Sequence, residues 1–241
     1  MKRVVDLFFS ILALVILSPV VLYFLFIVWV KDFNSPVYIS KRIGEKGKEF
    51  NFIKIRSMVV NADKSGVDST SANDSRITPA GKFIRKYKID EIPQLLHVFM
   101  GRMSFVGPRP NVKSDVDIYT SEEMMLLQVK PGITDFSSIV FSDEGEILAG
   151  SEDPDLKYNQ IIRPWKSRLG LFYINNSSLY VDLILVSLTI IAIFNRAFAL
   201  KKLSDLLKVL GADEELVKIS TRETDLIPYP PPGSNEIVKS R

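Results

Sequence analysis

Asp90-Glu91-Ile92-Pro93-Gln94 sets two carboxylates side by side ahead of a proline. Proline is tolerated in the opening turn of a helix, so both acids are expected at a helix N-terminus. There Asp can cap the helix and Glu is favoured by its dipole, the common use of an isolated string of this kind. The same physics keeps a carboxylate ionised, available as a nucleophile or as a hard oxygen ligand. Mg²⁺ suits such a pair, because it takes one or two carboxylates together with phosphate oxygens. Gly107-Pro108-Arg109-Pro110 fixes the backbone on either side of one arginine. A planar guanidinium matches phosphate oxygens bidentately, although a plain surface turn is the more frequent role of such a string. In Phe52-Ile53-Lys54-Ile55-Arg56-Ser57-Met58, a strand would put Lys54 and Arg56 on one face as a cationic wall, or leave them as a solvated edge. Arg85 lies five residues before Asp90, among Lys82, Lys86 and Lys88, and could face an anion near the acids. His97, the one histidine, falls in an apolar stretch and reads as packing or a satisfied polar contact. The chain has no cysteine, which excludes disulfides, thiol nucleophiles and thiolate metal sites. It has no Walker-type loop. Acids for a metal, cations for phosphates and an apolar anchor together suit phosphoryl transfer between a soluble and a lipid substrate, chemistry that depends on positioning and charge stabilisation.

The anchor is residues 7–30, apolar throughout except Ser10 and Ser18-Pro19. About 20 apolar residues suffice to cross a bilayer. A cleaved signal peptide fits poorly, since the run exceeds the usual h-region and Trp29-Val30-Lys31 is a poor cleavage context. Pro19 removes a backbone donor mid-segment, and the Ser18 hydroxyl can bond a carbonyl in the preceding turn and add to the bend. Lys2-Arg3 precede the run, and Lys31, Lys41, Arg42, Lys46 and Lys48 follow it. Basic residues favour the cytoplasmic side, so a re-entrant hairpin satisfies both flanks and a single crossing only one. Local chemistry leaves a kinked spanning helix and a re-entrant one equally open.

The chain has 241 residues, and without the membrane segment and the tail enough remains for one domain of about 150–170 residues. A net charge of +3 fits an anionic membrane surface and gives no pointer to nucleic acid. The expected fold is mainly α-helical with a small β-hairpin, Val37-Tyr38-Ile39 against 50–55, turned at Gly44 and Gly47. Residues 61–79, with Asp63, Asp68, Ser69, Thr70, Ser71, Asn73 and Asp74, read as a long polar loop. Helices are expected over 80–88, from Asp90 to Phe99 with Gly101 as stop, and over 115–129. Residues 179–199 read as an amphipathic helix at the membrane interface, with a second span as the competing view. The tail holds a short helix, KKLSDLLKVL, and then a Pro-rich semi-rigid or disordered end. The expected division is 1–31 membrane helix, 32–200 membrane-associated catalytic domain and 201–241 tail.

Ser18-Pro19, FIKIRSM at 52–58, NDSRITPAGKFIRKYKIDEIPQL at 73–95, MSFVGPRP at 103–110 and KPGIT at 130–134 occur in this order. The ordered set resembles the bacterial sugar transferases, the monotopic phosphoglycosyl transferases, over about residues 1–200. With no further N-terminal spans it looks like their small form. The resemblance implies transfer of a sugar-1-phosphate from a UDP-sugar to undecaprenyl phosphate, with release of UMP. It implies Asp90 as nucleophile, a covalent phosphosugar intermediate, and Glu91 assisting and helping to hold Mg²⁺. It further implies phosphate-facing Arg85 and Arg109, a re-entrant helix broken at Ser18-Pro19, and a catalytic domain on the cytoplasmic face of the bacterial inner membrane. It implies service at the first membrane step of surface glycan assembly. Two departures from the family pattern could tune the sugar pocket, so the resemblance does not carry over the identity of the sugar: Asp135 where Gly usually follows KPGIT, and Gly170 where many members carry an acid. The alternatives are a membrane-tethered glycosyltransferase that releases UDP and a phosphate-binding module without turnover.

Overall fold

The computed structural model describes residues 2–65 and 69–239, so Asp68 of the polar loop lies outside the described residues. Helix α1 (Lys2–Asp32) comes first. Its 31 residues extend about 46 Å at 1.5 Å per residue. The chain stays helical through Ser18 and Pro19, so the expected break is not an interruption of secondary structure. Ser18 Oγ donates to the Val15 carbonyl at 2.9 Å, the local bond expected of it. Most apolar side chains of α1 are exposed, including Val15, Ile16, Leu22 and Phe26, which is the surface of a helix that lipid covers.

The rest packs against that helix. Strands β1 (Val37–Ile43) and β2 (Glu49–Ile55) form the expected antiparallel hairpin, Val37 opposite Ile55 and Ile43 opposite Glu49. Helix α2 (Pro79–Lys86) is capped by Thr78, whose hydroxyl accepts from Gly81 N. Where one helix was expected from Asp90, Lys88 takes a left-handed conformation. A 3-10 turn (Ile89–Gln94) and the short α3 (Leu95–Phe99) follow. Gly101, at φ +77°, ends α3 as expected.

Strand β3 (Ser104–Val106), α4 (Lys113–Val116), a 3-10 turn (Glu123–Gln128) and β4 (Gly132–Thr134) come next, with β3 and β4 parallel. The helix expected over 115–129 is thus two separate turns. Thr120 and Glu123 bond reciprocally at 3.1 and 3.0 Å, and the Glu123 carboxylate is drawn inside to Arg163, so side-chain bonds win over helical periodicity. Helices α5 (Phe136–Val140), α6 (Glu144–Ile147) and α7 (Pro154–Lys157) are short. A π-turn (Tyr158–Ile162) leads into α8 (Arg163–Asn176). Then come α9 (Leu179–Phe194), α10 (Arg196–Val209) and α11 (Glu214–Thr221).

The main core gathers Phe136, Ile139, Leu169, Leu185, Leu203 and Leu207 from α5, α8, α9 and α10. The expected division at residue 201 falls inside α10, whose leucines belong to this core. The Pro-rich end is docked, not loose. Tyr229 packs on Trp165 with ring centroids 4.4 Å apart, Arg168 bonds the Pro230 carbonyl at 2.8 Å, and Thr120 Oγ1 bonds the Pro232 carbonyl at 2.5 Å. Aromatic and cation–π contacts to the rigid α8 offset the entropy that would otherwise keep such a tail extended.

Helix α9 buries Val181, Asp182, Leu185 and Leu188 and exposes Tyr180, Leu183, Ile190 and Phe194. Its 16 residues fall short of a span, and its two faces suit an interface. Both ends of α1 rest on this one body. Lys2 Nζ reaches Asp182 Oδ2 at 2.6 Å and the Val106 carbonyl at 2.9 Å, while Asp6 accepts from Ser104 Oγ at 2.9 Å. Near the other end, Val28 is buried with Ile55, Ile84 and Ile89, and Asp32 pairs with Arg56.

Candidate active site

Three segments far apart in sequence meet around Asp90. Lys54 comes from β2, Asp90 and Glu91 from the 3-10 turn after Lys88, and Arg109 from the turn after β3. The turn that carries Arg109 is fixed by backbone bonds: Gly107 N bonds the Thr134 carbonyl, and Gly132 N the Pro108 carbonyl, both at 3.0 Å. The two segments cross so closely that a Cβ on Gly132 would sit 2.1 Å from Gly107 N. Glycine at 132 is therefore a steric requirement.

Arg109 grips Glu91 as a fork. One nitrogen reaches Oε2 at 3.0 Å, the other pairs with Oε1, and the first also approaches the Ile133 carbonyl at 3.3 Å. Lys54 Nζ stands 3.3 Å from Glu91 Oε1 and 3.8 Å from Asp90 Oδ2. Burial pushes the Glu91 carboxyl up, but Arg109 and Lys54 outweigh it and hold it well below the usual carboxylate range. Asp90 behaves oppositely: burial pushes its carboxyl up, and Lys54, Arg85 and Lys88 recover only part of that. Burial lowers the Lys54 ammonium, against the pull of both acids.

Asp90 does not cap a helix, as the common reading of D-E-x-P would have it. The cap position belongs to Lys88, with no side-chain bond. Asp90 is instead 4% exposed, and its Oδ1 has no hydrogen-bond partner among the described residues. An orphaned buried carboxylate oxygen is costly unless something binds it.

Asp90, Lys54, Arg85 and Arg109 line one cavity of about 1160 Å³. Arg85 makes no hydrogen bond or ion pair among the described residues, and its charge acts on Asp90. Arg56 also borders the cavity, but its guanidinium is held by both oxygens of Asp32 at 2.6 Å and by the Ser35 carbonyl at 2.7 Å. Ser18 and Pro19 lie on α1 and do not line the cavity. His97 is fully buried; its Nε2 accepts from Ile53 N at 3.2 Å and its ring stacks on Phe52, so it packs, as expected. Among the described residues no cluster of three or more His, Cys, Asp or Glu could hold a metal ion.

Sequence reasoning missed the wall formed by α6 and α8, where Glu144 pairs with Lys166 and lines the same cavity. No local signal marks it, because Glu144 sits in a four-residue helix and its partner lies 22 residues on. The two departures from the family pattern, Asp135 and Gly170, do not line the cavity. Asp135 is buried and caps α5, accepting from Ser138 N at 2.8 Å, while Gly170 gives room to Leu126 and Pro108.

The family model for bacterial sugar transferases matches residues 1–217. The chain belongs to the bacterial sugar transferase family. It is 30% identical over 192 residues to a UDP-N-acetylgalactosamine-undecaprenyl-phosphate N-acetylgalactosaminephosphotransferase of Aeromonas hydrophila, covering 78% of this chain and 42% of that protein. It is 31% identical over 211 residues to the undecaprenyl-phosphate galactose phosphotransferase of Salmonella typhimurium, covering 81% and 41%. It is 32% identical over 207 residues to the exopolysaccharide production protein ExoY of Sinorhizobium fredii, covering 80% and 84%. This bacterial sugar transferase thus spans about two fifths of the length of the first two relatives. All the segments that build the site fall inside the matched residues.

Proposed function

We propose that this protein moves a sugar-1-phosphate from a UDP-sugar to undecaprenyl phosphate and releases UMP. The observation that carries the reading is Asp90: a buried carboxylate with one unpartnered oxygen, open to a cavity walled by cations. In the first step an Asp90 oxygen attacks the phosphorus that bears the sugar. A bond forms from that oxygen to phosphorus, the bridging P–O bond breaks, and UMP leaves with the bonding pair. In the second step a phosphate oxygen of the lipid attacks the same phosphorus and the aspartyl oxygen leaves. Covalent catalysis splits one hard displacement into two. Lys54, Arg85 and Arg109 supply fixed positive charge where the phosphoryl oxygens would lie. Glu91 keeps the Arg109 fork aimed. The names of the Aeromonas and Salmonella relatives, both undecaprenyl-phosphate sugar phosphotransferases, support this reaction class.

The residues fit a hard divalent cation such as Mg²⁺ on one count, the orphaned Asp90 Oδ1. Asp90 would hold it together with the diphosphate, with Glu91 adjoining, though both Glu91 oxygens already lie in the Arg109 fork. When bound, the cation neutralises diphosphate charge.

The location proposed is the cytoplasmic face of the bacterial inner membrane, with α1 re-entrant. The support is geometric. Lys2 and Asp32, at opposite ends of α1, both bond the same globular body. A helix crossing about 30 Å of hydrocarbon would leave one of those ends on the far side. The carrying experiment incubates the full-length protein in detergent with a labelled UDP-sugar and no lipid. One burst of UMP is expected, with phosphosugar on the peptide containing Asp90 and none in Asp90→Asn. Release of UDP would identify a glycosyltransferase, and nucleotide binding without any release a module that does not turn over.

A further inference from the structure

The cavity that opens on Asp90 extends beyond the reacting carboxylate and its cations. It continues along α6 and α8, where the lining changes character. Around Asp90 the wall is cationic, with Lys54, Arg85 and Arg109. On the α6–α8 wall the Glu144 carboxylate pairs with Lys166, and the Lys166 ammonium lies 5.2 Å from the ring centre of Tyr158. Burial pushes the Glu144 carboxyl up, but Lys166, aided by Arg109 and Lys88, brings it below its ordinary value. Glu144 is therefore ionised at neutral pH. The same charges place this wall within electrostatic reach of Arg109.

An ionised carboxylate repels a diphosphate, so this wall is unsuited to the phosphates that the neighbouring cations attract. With Lys166 beside it, the pair is close to neutral overall. It presents carboxylate oxygens that accept and an ammonium that donates, the complement of a neutral ring with several hydroxyls. Residues 70–72 of the polar loop border this part of the cavity. Ala72 N bonds the Gly145 carbonyl at 2.7 Å, and Thr70 and Ser71 line the cavity beside it.

We propose that the Glu144–Lys166 pair is the subsite for the hexose ring of the nucleotide-sugar donor and sets which sugar is accepted, an inference that rests on the phosphoglycosyl-transfer reading above. Glu144 accepts from ring hydroxyls. Lys166 holds Glu144 in place and donates to a ring substituent. Asp135 and Gly170 do not line the cavity.

The test uses the full-length protein in detergent with undecaprenyl phosphate and a panel of UDP-hexoses, comparing wild type with Glu144→Gln and Lys166→Met. Inhibition by UMP, which has the ribose and no hexose, is measured in parallel. Glu144→Gln is expected to raise KM for the preferred donor at least about tenfold, the loss of one charge-assisted hydrogen bond. It should narrow the preference among hexose epimers and leave the UMP inhibition constant unchanged. A parallel rise for UMP would overturn the assignment and give the pair to the ribose. Unchanged KM across the panel would overturn it outright. If thermal unfolding shows that Glu144→Gln does not fold, Glu144→Asp keeps the charge, moves the carboxylate, and is read by the same ratio of donor to UMP effects. If wild type turns over no UDP-sugar, it is the reaction that fails. Calorimetric binding of UDP-hexose against UMP then reads the subsite alone: a preference for UDP-hexose that Glu144→Gln removes supports it, and equal binding overturns it.

Discussion

Arg109→Lys keeps a positive charge at the end of the Gly-Pro-Arg-Pro turn but removes the fork. Arg109 makes two bonds to Glu91 and a third, longer one to the Ile133 carbonyl. A lysine ammonium can recover one of these at a time. The pair is largely buried, with side-chain exposures of 27% and 13%, so solvent screening discounts it only in part. Losing one charged hydrogen bond in such a setting costs about 1–3 kcal/mol, roughly a 5- to 150-fold fall in kcat/KM. Glu91→Gln should produce a fall of the same order, because it loosens the same fork and leaves Lys54 less compensated. The two changes share one interaction, so the double variant should be little worse than the poorer single variant, with a coupling of about 1 kcal/mol or more. Initial rates of UMP release, with thermal unfolding as a check on folding, measure all four corners of the cycle. Wild-type kinetics in Arg109→Lys would mean that the guanidinium only packs the turn. Strictly additive losses would mean that Glu91 and Arg109 serve separate purposes, and the aiming argument would fail.

The pH dependence follows from the opposed shifts at the site. Asp90 must be ionised and Lys54 protonated, so kcat/KM should rise through a carboxyl displaced upward and fall through an ammonium displaced downward. Lys54→Arg should carry the alkaline limb to higher pH, and an unmoved limb would remove Lys54 from the profile. Glu91 is depressed in the folded state, so its contribution to stability is present above its unfolded value and lost as pH falls through its folded one. Unfolding midpoints in Glu91→Gln should accordingly lose acid sensitivity relative to wild type. Chelation should abolish turnover and Mg²⁺ restore it, whereas full activity in excess EDTA would take the cation out of the scheme. For topology, Val4→Cys is expected to be labelled only from the cytoplasm, against a background without native cysteines. The same cysteine in a Ser18→Leu, Pro19→Leu chain should become reachable from the periplasm, and periplasmic labelling without those two changes would sink the re-entrant reading.

What the sequence made legible followed local rules. The hairpin turned at Gly44 and Gly47, a helix formed over most of 80–88, and α3 stopped at Gly101, because each depends on residues a few positions apart. The convergence of Lys54, Asp90 and Arg109 was anticipated only as residue types that belong together; what joins them is the parallel pairing of β3 with β4 and the packing of the 3-10 turn on β2. Expectations failed where long-range side-chain bonds overrode periodicity. Glu123 turned inward to Arg163 and split the helix expected at 115–129. Arg168 and Trp165 captured a tail that composition alone would leave loose. Arg56 shows the same limit differently. Its alternation with Lys54 pointed to a shared wall, yet the end of α1 supplies Asp32 as a nearer partner.

That last pairing has a counterpart at the other end of the helix, and the two together tie the membrane segment to the reacting groups. Arg56, gripped by Asp32, lies two residues past Lys54 on the continuation of β2. The Val106 carbonyl, bonded by Lys2, lies three residues before Arg109. Between them, Val21, Phe24, Leu25 and Val28 of α1 pack on Ile89 and Ile92, which flank the two acids. Each cation that faces Glu91 is thus anchored near one end of α1, and the acids rest on its middle-to-late turns. Without the helix, Ile55, Ile84 and Ile89 would lose the surface that buries them, and the 3-10 turn would lose its floor. Burial is also what raises the Asp90 carboxyl and lowers the Lys54 ammonium. Seating α1 against the body and setting the charge balance of the site are therefore one packing event.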